Sequence, residues 1–253
     1  MHVLSKRPLR EFWSVHPDAE RPLRAWHQAA RREDWVNFAE VRARFPHADR
    51  VGRFTVFNIG GNKYRLIAVI HYNRGKVFVR HVLTHKEYDR GSTTVATGKT
   101  TNRLPGKARA LTASYLTLIR RFPLRPITSE AELDRATAVM NSLLDRDLDS
   151  AEDDYLDVLS DLIERYEDKH HPIGDVSEDE MLAFLIEQKG VTQVEAARGA
   201  GIAESTVSEV LSGKRQLTRG QIVKLASYFH VSPAVFLPET GNGRNKRHAA
   251  KGR

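Results

Sequence analysis

The chain has 253 residues, is 40% hydrophobic, and carries 40 Lys and Arg against 32 Asp and Glu for a formal net charge of +8. It contains no cysteine, which excludes disulfides, thiolate metal sites and a cysteine nucleophile and fits a cytoplasmic location. No apolar run approaches the ~18 residues of a membrane span, and the opening MHVLSKRPLREFW lacks the apolar centre of a secretory signal.

The length predicts about two domains. Residues 5–15 and 17–33 are predicted as helices. Pro17 opens the second, with Asp18 and Glu20 near its positive end. A third short helix runs from Asn37 to Phe45, before Pro46. Residues 54–91 then hold three runs rich in Val, Ile, Phe and Tyr, separated by Gly-Gly-Asn and Asn-Arg-Gly. This pattern predicts consecutive antiparallel strands joined by hairpins, the last run being KVFVRHVLTHKEYDRG. Gly60-Gly61 reads as a hairpin turn, because no GxxxxGK[ST] follows. Helices followed by such a sheet make an α+β domain over 1–91.

Residues 92–114 are rich in Thr, Ser, Gly and Lys, hold no acid and keep no period, so they read as a linker, almost like translated intergenic sequence. A flexible chain of that length spans roughly 25 Å on average. Residues 115–127 are predicted as a short strand or extended arm. Two amphipathic helices follow, from Thr128 or Ser129 to about Arg146 and from Ser150 to about Lys169. They make up an acidic helical region over 115–176. Residues 177–238 divide into five short helices, with Ser177 and Glu180 forming a capping box at the first. A basic tail occupies 239–253.

Charge is segregated along this plan. Residues 1–91 hold 18 Lys and Arg against 9 Asp and Glu, whereas residues 128–180 hold 4 against 18. The cationic sheet suggests a polyanionic ligand. The acidic helices read either as a solvated face or as the element that neutralises the basic domain.

The stretch TQVEAARGAGIAESTVSEVLSGKRQLTRGQIVKLASYFHVSPAVFL has helix, tight turn and helix at helix-turn-helix spacing, with Ala196, Ala197, Ile202, Val207, Leu211 and Leu225 as its core. It resembles the XRE/Cro-like helix-turn-helix family. That resemblance implies that the helix from Ser205 to Leu211 enters the DNA major groove. Ser205, Thr206, Ser208 and Glu209 would then face bases or phosphates, and Gln193 with Lys214 or Arg215 the backbone.

The first domain, carrying FNIGGN, YRL and THKEYD, resembles the HigB toxins of the RelE-like superfamily. Residues 115–238, with RFPLRPI before the acidic helices, resemble the HigA antitoxin. The fold class implied is a RelE-like α+β toxin domain followed by an all-α antitoxin with a helix-turn-helix. Both halves stand in one chain, which departs from the usual two proteins, and no Met lies between Met1 and Met140 to start a separate antitoxin.

The implied activity is metal-independent cleavage of mRNA on the ribosome, needing no cofactor. Cleavage by the RNA's own 2′-OH requires a base, cations to stabilise the phosphorane, and an acid for the leaving oxygen. His85 is the candidate base or acid, since imidazole titrates near neutrality. Lys86, Arg65 and Arg80 are candidates to stabilise phosphate charge, and Tyr88 to stack on a base or transfer a proton. Asn62, Lys63, Arg74 and Lys76 are candidate RNA-binding residues. His71 and His81 read as packing or surface residues. His170-His171 shows no HExxH-type spacing.

The expected partners are mRNA on the ribosome, operator DNA, and the chain's own other half within or between molecules, with a homodimer formed through the antitoxin half. The competing reading is a non-enzymatic helix-turn-helix regulator whose basic domain is an interaction module. A third reading is an artificial fusion made to keep the toxin silent, which the featureless linker allows.

Overall fold

The computed structural model describes residues 1–91 and 113–238. The predicted linker therefore lies almost wholly outside the described residues, and the basic tail entirely so. In the first part the elements are β1 (His2–Leu4), α1 (Arg7–Val15), α2 (Glu20–Arg31), α3 (Phe38–Arg44), β2 (Asp49–Val51), β3 (Phe54–Ile59), β4 (Tyr64–His71), β5 (Lys76–Thr84) and α4 (His85–Gly91). In the second they are α5 (Ala113–Arg121), α6 (Glu130–Leu144), α7 (Ser150–His170), α8 (Glu178–Lys189), α9 (Gln193–Ala200), α10 (Glu204–Leu211) and α11 (Arg219–Phe229).

The three expected strands are β3, β4 and β5, joined as antiparallel hairpins. Gly60, Gly61 and Asn62 all take positive φ in the first turn, where glycine costs least. Two strands were not expected. β2 pairs antiparallel with β3, and β1 pairs parallel with β5, giving the order β1-β5-β4-β3-β2. β1 is three residues long and its partner lies far along the chain, so no local period announces it.

Two further expectations are corrected. HKEYDRG does not continue β5, which ends at Thr84. It turns into α4, where Thr84 and Glu87 cap one another: the Glu87 carboxylate accepts from the Thr84 N–H at 2.8 Å, and Thr84 Oγ1 accepts from the Glu87 N–H. Residues 115–127 are not a strand, because the chain is helical to Arg121 and without regular secondary structure from there to Ile127. Tyr115, Leu118, Ile119 and Phe122 fall at helical spacing, and Pro123 follows the helix end.

The sheet is buried on both faces. On one, Val3, Phe57, Ile59, Leu66, Ala68, Val77 and Val79 meet Leu9, Leu23 and Trp26 of α1 and α2. On the other, Leu4, Val69 and Phe78 meet Leu133, Met140, Leu156, Leu159 and Ile163 of α6 and α7. The two acidic helices thus pack on each other, as expected, and also on the basic sheet. A bulge pairs Ile67 with His81 but Ala68 with Val79, leaving Arg80 as the extra residue. The alternation shifts there, so Val82 rejoins the face of Val77 and Val79.

Helices α8 to α11 and a 3-10 turn at Pro233–Phe236 form the last unit. Thr192 with Glu195 and Thr218 with Gln221 form capping boxes at α9 and α11. α10 starts at Glu204 rather than Ser205, with Ala203 before it and no side-chain cap. Val207 and Leu225 are buried in the core, with Ile202 and Leu211 half-buried against it.

This unit docks on the first domain. The buried Gln28 amide of α2 donates to the Val235 carbonyl at 2.7 Å and accepts from the Val176 N–H at 2.8 Å. The Glu33 carboxylate accepts from Arg44 Nε at 2.9 Å and from the Ser232 N–H at 3.0 Å. Phe45 meets Phe184 at 6.3 Å between ring centroids. Among the described residues, no helix is long and apolar enough to cross a membrane.

Candidate functional site

The sequence-derived cations of the first domain fall into two groups. The first lies at one end of the sheet, where the β3–β4 turn meets the start of α4. The His85 N–H donates to the Lys63 carbonyl at 2.9 Å, which extends the strand ladder and anchors α4 beside the turn. His85 Nδ1 lies 2.8 Å from Asp89 Oδ2, one helical turn on. With the proton on Nδ1 this contact fixes the ring and leaves Nε2 as the acceptor.

The Arg65 guanidinium donates to the carbonyls of Asn62 and Tyr64 at 3.1 and 3.2 Å and sits 5.9 Å from the Tyr88 ring centroid. Lys86 is exposed. Lys63 Nζ lies 3.1 Å from Asp18 Oδ2, and the Tyr64 hydroxyl donates to Asp18 Oδ1 at 2.6 Å. Burial first, and then the Asp18 carboxylate, push the Tyr64 pKa up to about 12. The hydrogen bond from Tyr64, followed by that from Lys63, holds Asp18 below the usual carboxylate range.

Asp18 and Asp89 are functional candidates that sequence reading missed. The i, i+4 pairing of His85 with Asp89 becomes visible only once THKEYD is a helix.

The second group is Arg74, Lys76 and Arg80, and here the structure separates residues that the sequence had grouped. These three are engaged by the acidic helices. Arg74 meets Asp157 at 2.8 Å and Asp154 at 3.3 Å. Lys76 Nζ lies 2.7 Å from both Asp157 and Asp161 and donates to the Asp157 carbonyl at 2.9 Å. Arg80 donates to Asp145 at 2.8 Å and to the Asn141 carbonyl at 3.1 Å.

Burial works against the charge on Arg74, but the carboxylates of Asp154 and Asp157 outweigh it and raise its pKa. For Arg80 burial prevails over Asp145 and its pKa falls. His71 packs on Phe78 at 5.2 Å, and burial pulls its pKa down to about 4, so it stays neutral, as a packing residue should.

On α10, Ser205, Ser208 and Glu209 are exposed with the rest of the described chain in place. Gln193, Lys214 and Arg215 are exposed too, and Arg215 lies 3.5 Å from Glu209. Thr206, expected on the same outer face, is instead 6% exposed and packs beneath the helix. Among the described residues, no group of three or more His, Asp or Glu is placed to hold a metal ion. His171 is occupied otherwise, bridging Glu130 at 2.8 Å and Arg10 at 2.9 Å.

A small mixed sheet with a basic end, clamped by acidic helices that lead into a helix-turn-helix, defines a toxin–antitoxin protein in a single chain. Residues 19–91 match the family model of the HigB toxin, described as the RelE-like toxic component of a toxin–antitoxin system. Residues 109–175 match the N-terminal domain of the HigA antitoxin, and residues 182–236 match a helix-turn-helix. An mRNA interferase HigB of Escherichia coli O6:H1 is 31% identical over 93 residues, covering 36% of this chain and 90% of that protein. The mRNA interferase toxin HigB of Escherichia coli K12 is 29% identical over 92 residues, covering 35% and 88%. The chain belongs to the HigB family of RelE-like toxins, here fused to a HigA-type antitoxin with an XRE/Cro-like helix-turn-helix.

Proposed function

We propose that the first domain is a metal-independent endoribonuclease that cuts mRNA on the ribosome, and that the rest of the chain restrains it and represses its own operon. The observation that carries this reading is the grouping of His85, Lys86, Arg65 and Tyr88 where the β3–β4 turn meets α4. Its support from kinship is the name mRNA interferase borne by the HigB relatives.

His85 Nε2 takes the proton of the RNA 2′-OH, with Asp89 holding the ring. The 2′-oxygen attacks phosphorus, the bond to the 5′-oxygen breaks, and a proton passes to that leaving oxygen. The products are a 2′,3′-cyclic phosphate and a 5′-hydroxyl. Lys86 and Arg65 stabilise the phosphorane charge, and Tyr88 stacks on a base or passes the proton. Asn62 and Lys63 hold the neighbouring backbone. Arg80, bound to Asp145 in the fused state, joins the site once released.

The exposed edge of α10 reads operator DNA through Ser205, Ser208 and Glu209, with Gln193, Lys214 and Arg215 on phosphates. A homodimer through the antitoxin half matches a two-fold operator.

The test is expression of residues 1–91 in bacteria. The reading predicts growth arrest with mRNA cut inside reading frames, relieved by His85→Ala. Harmless expression of the folded fragment favours the regulator without enzymatic activity.

A further inference from the structure

Helix α7 carries Asp154, Asp157, Asp161, Glu164 and Asp168, an acidic series at steps of three and four residues. Each member meets a basic side chain of the first domain. Asp154 and Asp157 hold Arg74, Asp157 and Asp161 hold Lys76, Glu164 lies 3.1 Å from His2, and Asp168 pairs with Lys6. At 1.5 Å rise per residue the series places a carboxylate about every 5 Å along about 21 Å of helix. The apolar seam of Tyr155, Leu159, Ile163 and Tyr166 runs beside it and seats the helix on the sheet. One helix therefore presents a regular row of negative charges to a row of basic side chains along β1 and the start of β5.

Strand β5 links the cationic row to the candidate cutting site. β5 runs from Lys76 through the bulged Arg80 to Thr84, immediately before His85. Lys76 is 7% exposed and Arg80 9% exposed under the acidic helices, so each must give up its carboxylate partners before it meets a second polyanion.

We infer that Arg74, Lys76 and Arg80 form a track for the phosphates of an RNA strand leading to His85, and that α7 imitates that strand at Arg74 and Lys76 while Asp145, just past α6, does so at Arg80. Helix and RNA then exclude one another at the same cations. This inference rests on the reading of the first domain as an RNA-cutting enzyme, and it adds the mode of restraint. His85, Lys86, Arg65 and Tyr88 are left in place, while Arg80 and the approach of the substrate are occupied. Two features of the structure agree. Among the described residues, no hydrogen bond or ion pair joins His85 or Lys86 to α6 or α7, and the His85 side chain remains 45% exposed. The cations that α7 holds are instead displaced along β5 from the cutting end.

The test uses the full chain and a fluorescent 2′-O-methyl oligoribonucleotide, which lacks the attacking hydroxyl and cannot be cut. Changing Asp154→Asn, Asp157→Asn and Asp161→Asn together is expected to tighten binding about tenfold over the unaltered chain. Adding Arg74→Ala and Lys76→Ala to that background should return the affinity to its starting value. The ion pairs are already gone there, so what is removed is the track itself, with the one hydrogen bond from Lys76 to the Asp157 carbonyl. Unchanged affinity in the folded triple variant, or a gain that survives loss of Arg74 and Lys76, overturns the inference.

If the triple variant does not fold, Asp161→Asn alone decides on the same criterion. Its side chain is 68% exposed, and the expected gain is about threefold, abolished by Lys76→Ala. Unmodified RNA separates this inference from the enzymatic reading. Tighter binding without cleavage leaves the track standing and removes the enzyme; cleavage without tighter binding does the reverse.

Discussion

The Glu167 carboxylate, deep in the contact between α7 and the first domain, accepts the backbone N–H of Lys6 at 2.8 Å. It also accepts the Ser5 N–H at 3.1 Å, so an antitoxin side chain caps the N-terminus of toxin helix α1. Burial, opposed by Lys6 and these N–H groups, pushes its pKa up to about 7. Because the folded-state value lies above the unfolded one, the folded chain binds the extra proton between about pH 4.5 and 7. This group's contribution to stability therefore declines as pH rises through that window. Glu167→Gln should flatten the dependence, changing the stability difference between pH 5 and pH 7 by about 2 kcal/mol. Denaturant melts of both proteins at the two pH values measure it.

Gln28 ties the helix-turn-helix unit to the toxin domain through two backbone groups. Gln28→Ala leaves the Val235 carbonyl and the Val176 N–H buried without these partners, at a cost of about 2 kcal/mol. The expected result is a lower midpoint with the two units unfolding separately, read by calorimetry as two transitions in place of one.

Gly199 stands inside α9 because a Cβ there would meet the Tyr228 ring at 2.1 Å. Gly199→Ala should destabilise the helix-turn-helix by about 2 kcal/mol and weaken operator binding. Tyr228→Ala in the same chain should restore much of both. Thermal melts and gel shifts report the two effects.

Much of this fold was legible because local chemistry and tertiary structure agree. The capping pairs Thr192–Glu195 and Ser177–Glu180, and the alternating runs of β3 to β5, announce their elements without help from distant contacts. β1 was not legible, since three residues have no period and the strand exists only by pairing His2, Val3 and Leu4 with β5. The T-x-x-E of Thr84 and Glu87 did signal α4, but the preceding β-rich run overshadowed it. Grouping by charge alone also failed at the site. Arg74 and Lys76 are as cationic as Lys63 and Lys86, and only the register of β5 shows that they lie toward the opposite end of the sheet from His85.

On the DNA side, Lys214 and Arg215 sit just beyond α10, where a phosphate contact carries no sequence information. Lys214→Ala should weaken binding evenly across operator variants and reduce the slope of affinity against salt by about 1. Glu209→Ala should instead relax preference at a single base pair by about 1–3 kcal/mol. Fluorescence titrations over a salt series, on matched and altered operators, separate the two behaviours.

The most direct measurement is cleavage of a defined message in a translating extract by purified residues 1–91, with residues 113–253 added or withheld. The account predicts new 5′ ends within the reading frame, their absence with His85→Ala, and their suppression when the second fragment is supplied. A folded first fragment that leaves the translated message whole would contradict it.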